Sequence, residues 1–220
     1  KVGADGDRVF LKGYDEFDHH SVVLREADSA GLDFFAFKVD SDATLTELGR
    51  KVEAWGYPVD EVAANTDQPG FGRRLGFMLP SGHRIELYAD VEMAERHPAI
   101  TNPDIWSEEP RGMGAIRFDH GLLYGPDIDQ NEKFFCEVLE FNVAERVDDD
   151  QGPMALWLTC SNKAHDIAFV RYPEPGKLHH VAFLLESWTD VGRAADIMTR
   201  YDISIDVGPT RHGITRGQTI

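Results

Sequence analysis

The chain has 220 residues, enough for two domains of about 100 residues or one larger one, and 42% hydrophobic with 28% charged residues is the composition of a globular protein. It carries 39 acidic against 22 basic side chains, a net charge of −17, without a cluster of Lys and Arg; Asp148, Asp149 and Asp150 point the opposite way. Nucleic acids and anionic membranes are therefore excluded as partners, and no apolar run approaches the roughly 20 residues that a membrane span needs.

The start, Lys1-Val2-Gly3-Ala4, has neither a methionine nor a secretory signal's apolar core, and reads as a mid-chain segment. Arg8–Leu11, His20–Leu24 and Phe34–Val39 are short, rich in β-branched and aromatic residues and bounded by turn formers, as strands are. Ser41 or Asp42 caps an expected helix over Ala43–Trp55, with Leu45, Leu48 and Val52 on one stripe. Arg74–Leu79, the turn Pro80-Ser81-Gly82 and Arg84–Tyr88 read as a hairpin. Pro, Asn, Glu and Gly accumulate from His97 to Gly114, which marks a boundary between residues 1–106 and 107–220.

Beyond it, Ile116–Tyr124 alternates as a strand. Asp129 precedes an expected helix from Asn131 to Leu139, and Ser187 one from Trp188 to about Tyr201. Cys136 and Cys160 fit no metal-binding or disulfide spacing and read as reduced thiols of a cytoplasmic protein.

An internal repeat organises these elements. His20–Asp28, a Gly-Leu turn and Asp33–Phe37 are echoed by His165–Pro173, a Gly-Lys-Leu turn and His179–Phe183, and a capped helix follows each. Two tandem modules of strands interrupted by one helix are the simplest plan, an α+β fold. Phe34 in the first unit is matched by His180 in the second, so only the second holds polar chemistry there.

Of nine histidines, His83 and His97 are expected at the surface, and His19 and His20 have no second ligand nearby in sequence. Strand alternation sets His120 on a face with Ile116, Phe118 and Leu122, and His180 with Leu178, Ala182 and Leu184, while His179 points the other way. A histidine among apolar neighbours needs its ring nitrogens satisfied, by a hydrogen bond or by a metal, and both readings stay open here. Two histidines plus a carboxylate suit a non-haem metal with open positions, whereas closed zinc would want a fourth ligand. Asp119 and Asp166 read as structural, and Tyr124 as wall or core.

Arg117-Phe118-Asp119-His120, Lys163-Ala164-His165-Asp166-Ile167-Ala168-Phe169, Leu178-His179-His180-Val181-Ala182-Phe183 and Gly208-Pro209-Thr210-Arg211-His212-Gly213 resemble the motifs of catechol 2,3-dioxygenases, type I extradiol enzymes of the vicinal oxygen chelate superfamily. The resemblance spans nearly the whole chain, including Val23–Asp28 and Pro80–His83. It implies tandem βαβββ modules forming open mixed sheets, with a non-catalytic module at 1–106 and a metal-binding catalytic module at 107–220. It implies His120 and His180 as ligands of Fe(II), with Mn(II) as the alternative ion. His165 would be the acid/base residue, His212 would hydrogen-bond the bound catechol oxygen, and Trp157, Val170 and Ile214 would contact the ring.

The implied reaction is meta cleavage of a catechol by O2 to a 2-hydroxymuconic semialdehyde, in a homo-oligomer such as a tetramer. In the family a tyrosine and a glutamate ligand follow the motif that ends at Ile220, so the chain is expected to be truncated at both ends and inactive as given. Glu86, after Pro80-Ser81-Gly82, is the expected non-catalytic counterpart of that glutamate. The competing readings are a glyoxalase or thiol transferase on the same scaffold, disfavoured by Phe34, and a metal-free small-molecule sequestering module.

Overall fold

A computed structural model describes residues 1–97 and 111–220; the expected boundary at 106/107 lies outside the described residues. Strands β1 (Gly3–Asp5), β2 (Arg8–Leu11) and β3 (Val22–Arg25) form an antiparallel sheet in that order. There follow β4 (Phe35–Lys38), α1 (Asp42–Trp55), β5 (Asp60–Val62), β6 (Arg74–Met78) and β7 (Arg84–Tyr88), whose strands are ordered β4-β7-β6-β5 with β4 parallel to β7. Then come β8 (Arg117–Gly125), α2 (Ile128–Glu137), β9 (Asn142–Asp149), β10 (Gly152–Thr159), β11 (Ile167–Arg171) and β12 (Lys177–Leu184), in the sheet β12-β8-β11-β10-β9. Helix α3 (Trp188–Arg200) and a short ladder of β13 (Thr210–Arg211) with β14 (Gln218–Thr219) close the chain.

The order β4-β7-β6-β5 and the order β8-β11-β10-β9 are the same topology. In both, the first strand runs parallel to the last, because a helix crosses between strands one and two. The tandem βαβββ plan is therefore present, at 35–88 and 117–171. The sequence repeat sits across those units: it matches β3–β4–α1 with β11–β12–α3. The two helices are capped alike, Ser41 accepting from the Thr44 N–H and Ser187 from the Asp190 N–H.

The chain packs as two compact units. One comprises Lys1–Glu26, Met93–Asp119 and Ala182–Ile220, the other Ala27–Glu92 and His120–Val181. The second has an aromatic core, in which Phe77, Phe134, Phe135 and Phe169 are fully buried and Phe135 meets Phe37, Phe141 and Phe169 edge-on or tilted. In α1 the buried stripe is Leu45, Gly49 and Val52; Leu48 is half-buried because Gly49 faces β6, where a Cβ would stand 2.6 Å from Leu75 Cδ1. Helix α2 starts at Ile128, earlier than Asp129 signals. Asp127 precedes it in a left-handed conformation with no side-chain cap bond, and the buried Ile128 and Asn131 hold the first turn instead. Among the described residues no helix is long and apolar enough to cross a membrane.

Candidate metal centre

Strand β8 presents two faces. Gly121, Leu123 and Gly125 are buried, while His120, Leu122 and Tyr124 are half-buried on the other side. The alternation read from sequence is right, but the densely packed face is the odd-numbered one. Gly121 permits that packing, since a Cβ there would lie 2.7 Å from the Phe35 ring. His120 thus turns away from the aromatic core, onto the less densely packed face of the strand.

Cross-strand register extends this face. Leu122 pairs with Ala168 and Ala168 with Trp157; Tyr124 pairs with Val170. Directly opposed residues share a side of a sheet, so Trp157 and Val170, both half-buried, line the same surface as His120.

Three histidines converge there. The His120 ring centroid lies 4.0 Å from that of His165 and 5.6 Å from that of His180. Imidazole nitrogens bind a first-row metal at about 2.1 Å, which puts each ring centroid about 3.2 Å from the ion and two centroids up to about 6.4 Å apart. The 5.6 Å between His120 and His180 therefore fits one shared cation. Among the described residues no third His, Cys, Asp or Glu completes a three-ligand group with them.

His165 is buried at the end of the loop Cys160–Asp166. The Asp166 carboxylate anchors that loop, accepting from Thr159 Oγ1 at 3.0 Å, Cys160 N at 2.9 Å and Ser161 Oγ at 3.0 Å. It also pairs with Lys163 Nζ at 2.8 Å. Burial pushes its pKa up, but the Lys163 ammonium and the Cys160 N–H outweigh this and hold it below the usual carboxylate value. Asp166 is the fixed anion of the segment that aims His165.

His212 and Ile214 belong to the other compact unit. Both are exposed in the turn between β13 and β14, which is tied by the His212 N–H to the Gly217 carbonyl at 2.9 Å.

Two histidines depart from expectation. His83, read as a surface residue, is 2% exposed. Its Nδ1 meets Ser81 Oγ at 2.9 Å and its Nε2 meets the Lys177 carbonyl at 3.1 Å. Asn131 Nδ2 donates to the same Ser81 oxygen at 2.7 Å. The sequence held a signal for this, since His83 shares the parity of Ile85 and Leu87, both buried. His179, read as pointing away from His180, brings its Nδ1 to 2.7 Å from the Nδ1 of His180.

Glu86 is buried and saturated by arginines. Arg74 Nε donates to Oε2 at 2.7 Å and Arg84 Nε to Oε1 at 2.8 Å. Arg74 lies over the Phe34 ring at 5.8 Å and also bonds Asp67.

Repeated βαβββ units with metal-type histidines on facing strands define a class, the oxygen-chelating fold of glyoxalases and ring-cleaving dioxygenases. Residues 32–92 match the family model for the catechol 2,3-dioxygenase-like N-terminal domain, and residues 117–220 that of the Glyoxalase/Bleomycin resistance protein/Dioxygenase superfamily. A metapyrocatechase from Pseudomonas sp. (strain CF600) is 48% identical over 215 residues, 97% of this chain and 70% of the relative. The 2,3-dioxygenase LapB from Pseudomonas sp. KL28 superposes with a TM-score of 0.94 at 48% identity, over 99% of this chain and 76% of that one. A manganese-dependent 2,3-dihydroxybiphenyl 1,2-dioxygenase from Geobacillus genomosp. 3 is 28% identical over 98% of this chain and 70% of its own length. This chain belongs to the extradiol ring-cleaving dioxygenases of the catechol 2,3-dioxygenase family. Relatives named for their metal include that manganese enzyme and an iron-dependent extradiol dioxygenase from Rhodococcus jostii (strain RHA1).

Proposed function

We propose that the protein cleaves catechol or a substituted catechol beside its two hydroxyls, using O2 and giving a 2-hydroxymuconic semialdehyde. The observation that carries this reading is the meeting of His120, His165 and His180 on one sheet face, in a chain 48% identical to a metapyrocatechase. His120 and His180 would hold Fe(II), with Mn(II) the alternative, and a carboxylate would complete the set. When bound, the ion would supply a Lewis acid that favours the deprotonated diol and a common meeting point for diol and O2.

The remaining work falls to the chain's own groups. Trp157 and Val170 would pack on the ring and exclude water from its face. His165 would give and take the proton during ring opening, since an imidazole's ordinary pKa near 6.5 lets it do both at neutrality. By the family resemblance, His212 would hydrogen-bond a catechol oxygen and Ile214 would contact the ring. In this reading residues 107–220 carry the chemistry and 1–106 form a non-catalytic module. In the same reading the protein works in the cytoplasm as a homo-oligomer such as a tetramer.

Anaerobic Fe(II) reconstitution of the protein expressed from its complete gene, followed by catechol and air, tests the reading. One O2 consumed per catechol with a yellow ring-opened product is expected. Catechol bound but unaltered would overturn it in favour of a sequestering module.

A further inference from the structure

Adjacent residues of a strand ordinarily send their side chains to opposite faces, yet His179 and His180 on β12 bring their Nδ1 atoms to 2.7 Å with ring centroids 4.8 Å apart. His179 is braced in this position. Its ring meets Tyr124 at 4.7 Å and 80°, and Tyr124 stacks on Tyr172 at 5.2 Å and 23°. Tyr124 lies four residues along β8 from His120, on the same face. Two strands therefore supply both histidines of the candidate centre and a braced third imidazole behind one of them.

A neutral imidazole carries one N–H. An Nδ1 to Nδ1 hydrogen bond thus requires one ring to be protonated on Nδ1 and its partner on Nε2. Of the two arrangements, only one leaves His180 with a lone pair on Nε2: His180 Nδ1–H donates, and His179 Nδ1 accepts. The other places a proton on His180 Nε2, where it would repel a cation.

We propose that His179 is a positioning residue which, by accepting from His180 Nδ1–H, fixes His180 in the tautomer and ring orientation that present Nε2 to the metal. This rests on His180 being a ligand, as in the function proposed above. Outer hydrogen-bond partners of metal-bound histidines act in this way, and their loss costs about 10- to 100-fold in affinity. The contact distance alone does not make the case. His19 and His20 show a similar Nδ1 contact of 2.8 Å, packed beside the Phe10 ring.

The test is Mn(II) affinity of the complete protein, measured by competition with a chelating dye, with 15N NMR of the histidine rings at pH 8 without metal. His179→Phe, which keeps the ring against Tyr124 but has no acceptor, should weaken Mn(II) binding about 10- to 100-fold and remove the Nδ1–H signature of His180. His179→Asn, whose amide oxygen can take the place of Nδ1, should restore most of the affinity, and His19→Ala should change nothing. Wild-type affinity and an unchanged His180 spectrum in His179→Phe would overturn the positioning role. His180→Ala separates the two failures: if it binds Mn(II) as tightly as wild type, the ligand assignment itself falls.

Discussion

Arg74 offers the sharpest test of the proposal that the first βαβββ unit is a non-catalytic module. Its guanidinium is 1% exposed and Glu86 is 3% exposed, so Arg74→Met strands an anion inside the core. Removing one partner of a buried pair costs about 3–5 kcal/mol. Glu86 keeps its bond to Arg84, which places the expected loss near 3 kcal/mol, and losing the cation–π contact with Phe34 adds roughly 0.5–1 kcal/mol. Urea unfolding followed by tryptophan fluorescence should read a total of about 3–4 kcal/mol. Arg74→Met with Glu86→Leu removes both charges and should recover most of that loss, because apolar residues of similar volume replace buried pairs at little cost. Metal content should be the same in Glu86→Gln as in wild type. A loss below about 1 kcal/mol in Arg74→Met, or reduced metal uptake in Glu86→Gln, would refute the view that an arginine occupies the cation's place beside Glu86.

Further outcomes follow from other titratable groups. Burial lowers the His83 pKa from 6.5, so the unfolded chain takes up this proton first as pH falls. The contribution of His83 is then intact above pH 6.5 and declines as pH drops from 6.5 toward the lower folded value. Urea midpoints measured from pH 7.5 to 5.5 should fall more steeply for wild type than for His83→Gln. Partial burial and then the neighbouring Asp166 push the Cys160 thiol up to about 11, so iodoacetamide at pH 8 should modify it on the order of 100-fold more slowly than an ordinary thiol. Asp166→Asn breaks the charge pairing with Lys163 and loosens the segment that aims His165; turnover should drop about 10-fold or more while metal content holds. Equal losses of both would assign Asp166 to the metal instead.

Much of this was legible in the sequence because it is local. Ser41 and Ser187 announce their helices by capping, and alternation along β8 and β12 puts His120 and His180 on matching faces without any knowledge of their neighbours. The repeat was visible through paired turns and caps, although which strands it joined depended on hydrogen bonds between distant segments. What escaped notice was set by pairing across the chain. His83 follows a Pro-Ser-Gly turn and reads as solvated until the Lys177 carbonyl and Asn131 are brought over it. Nothing near His179 in sequence indicates that Tyr124 will brace it from another strand.

The convergence of His120 and His180 on one cation is tested most directly by metal stoichiometry. Fe(II) or Mn(II) bound per chain should be close to one in wild type, and lost in both His120→Ala and His180→Ala. His212→Ala should lower turnover while keeping its metal. Full metal content in either His120→Ala or His180→Ala, with the fold intact, would contradict the shared site.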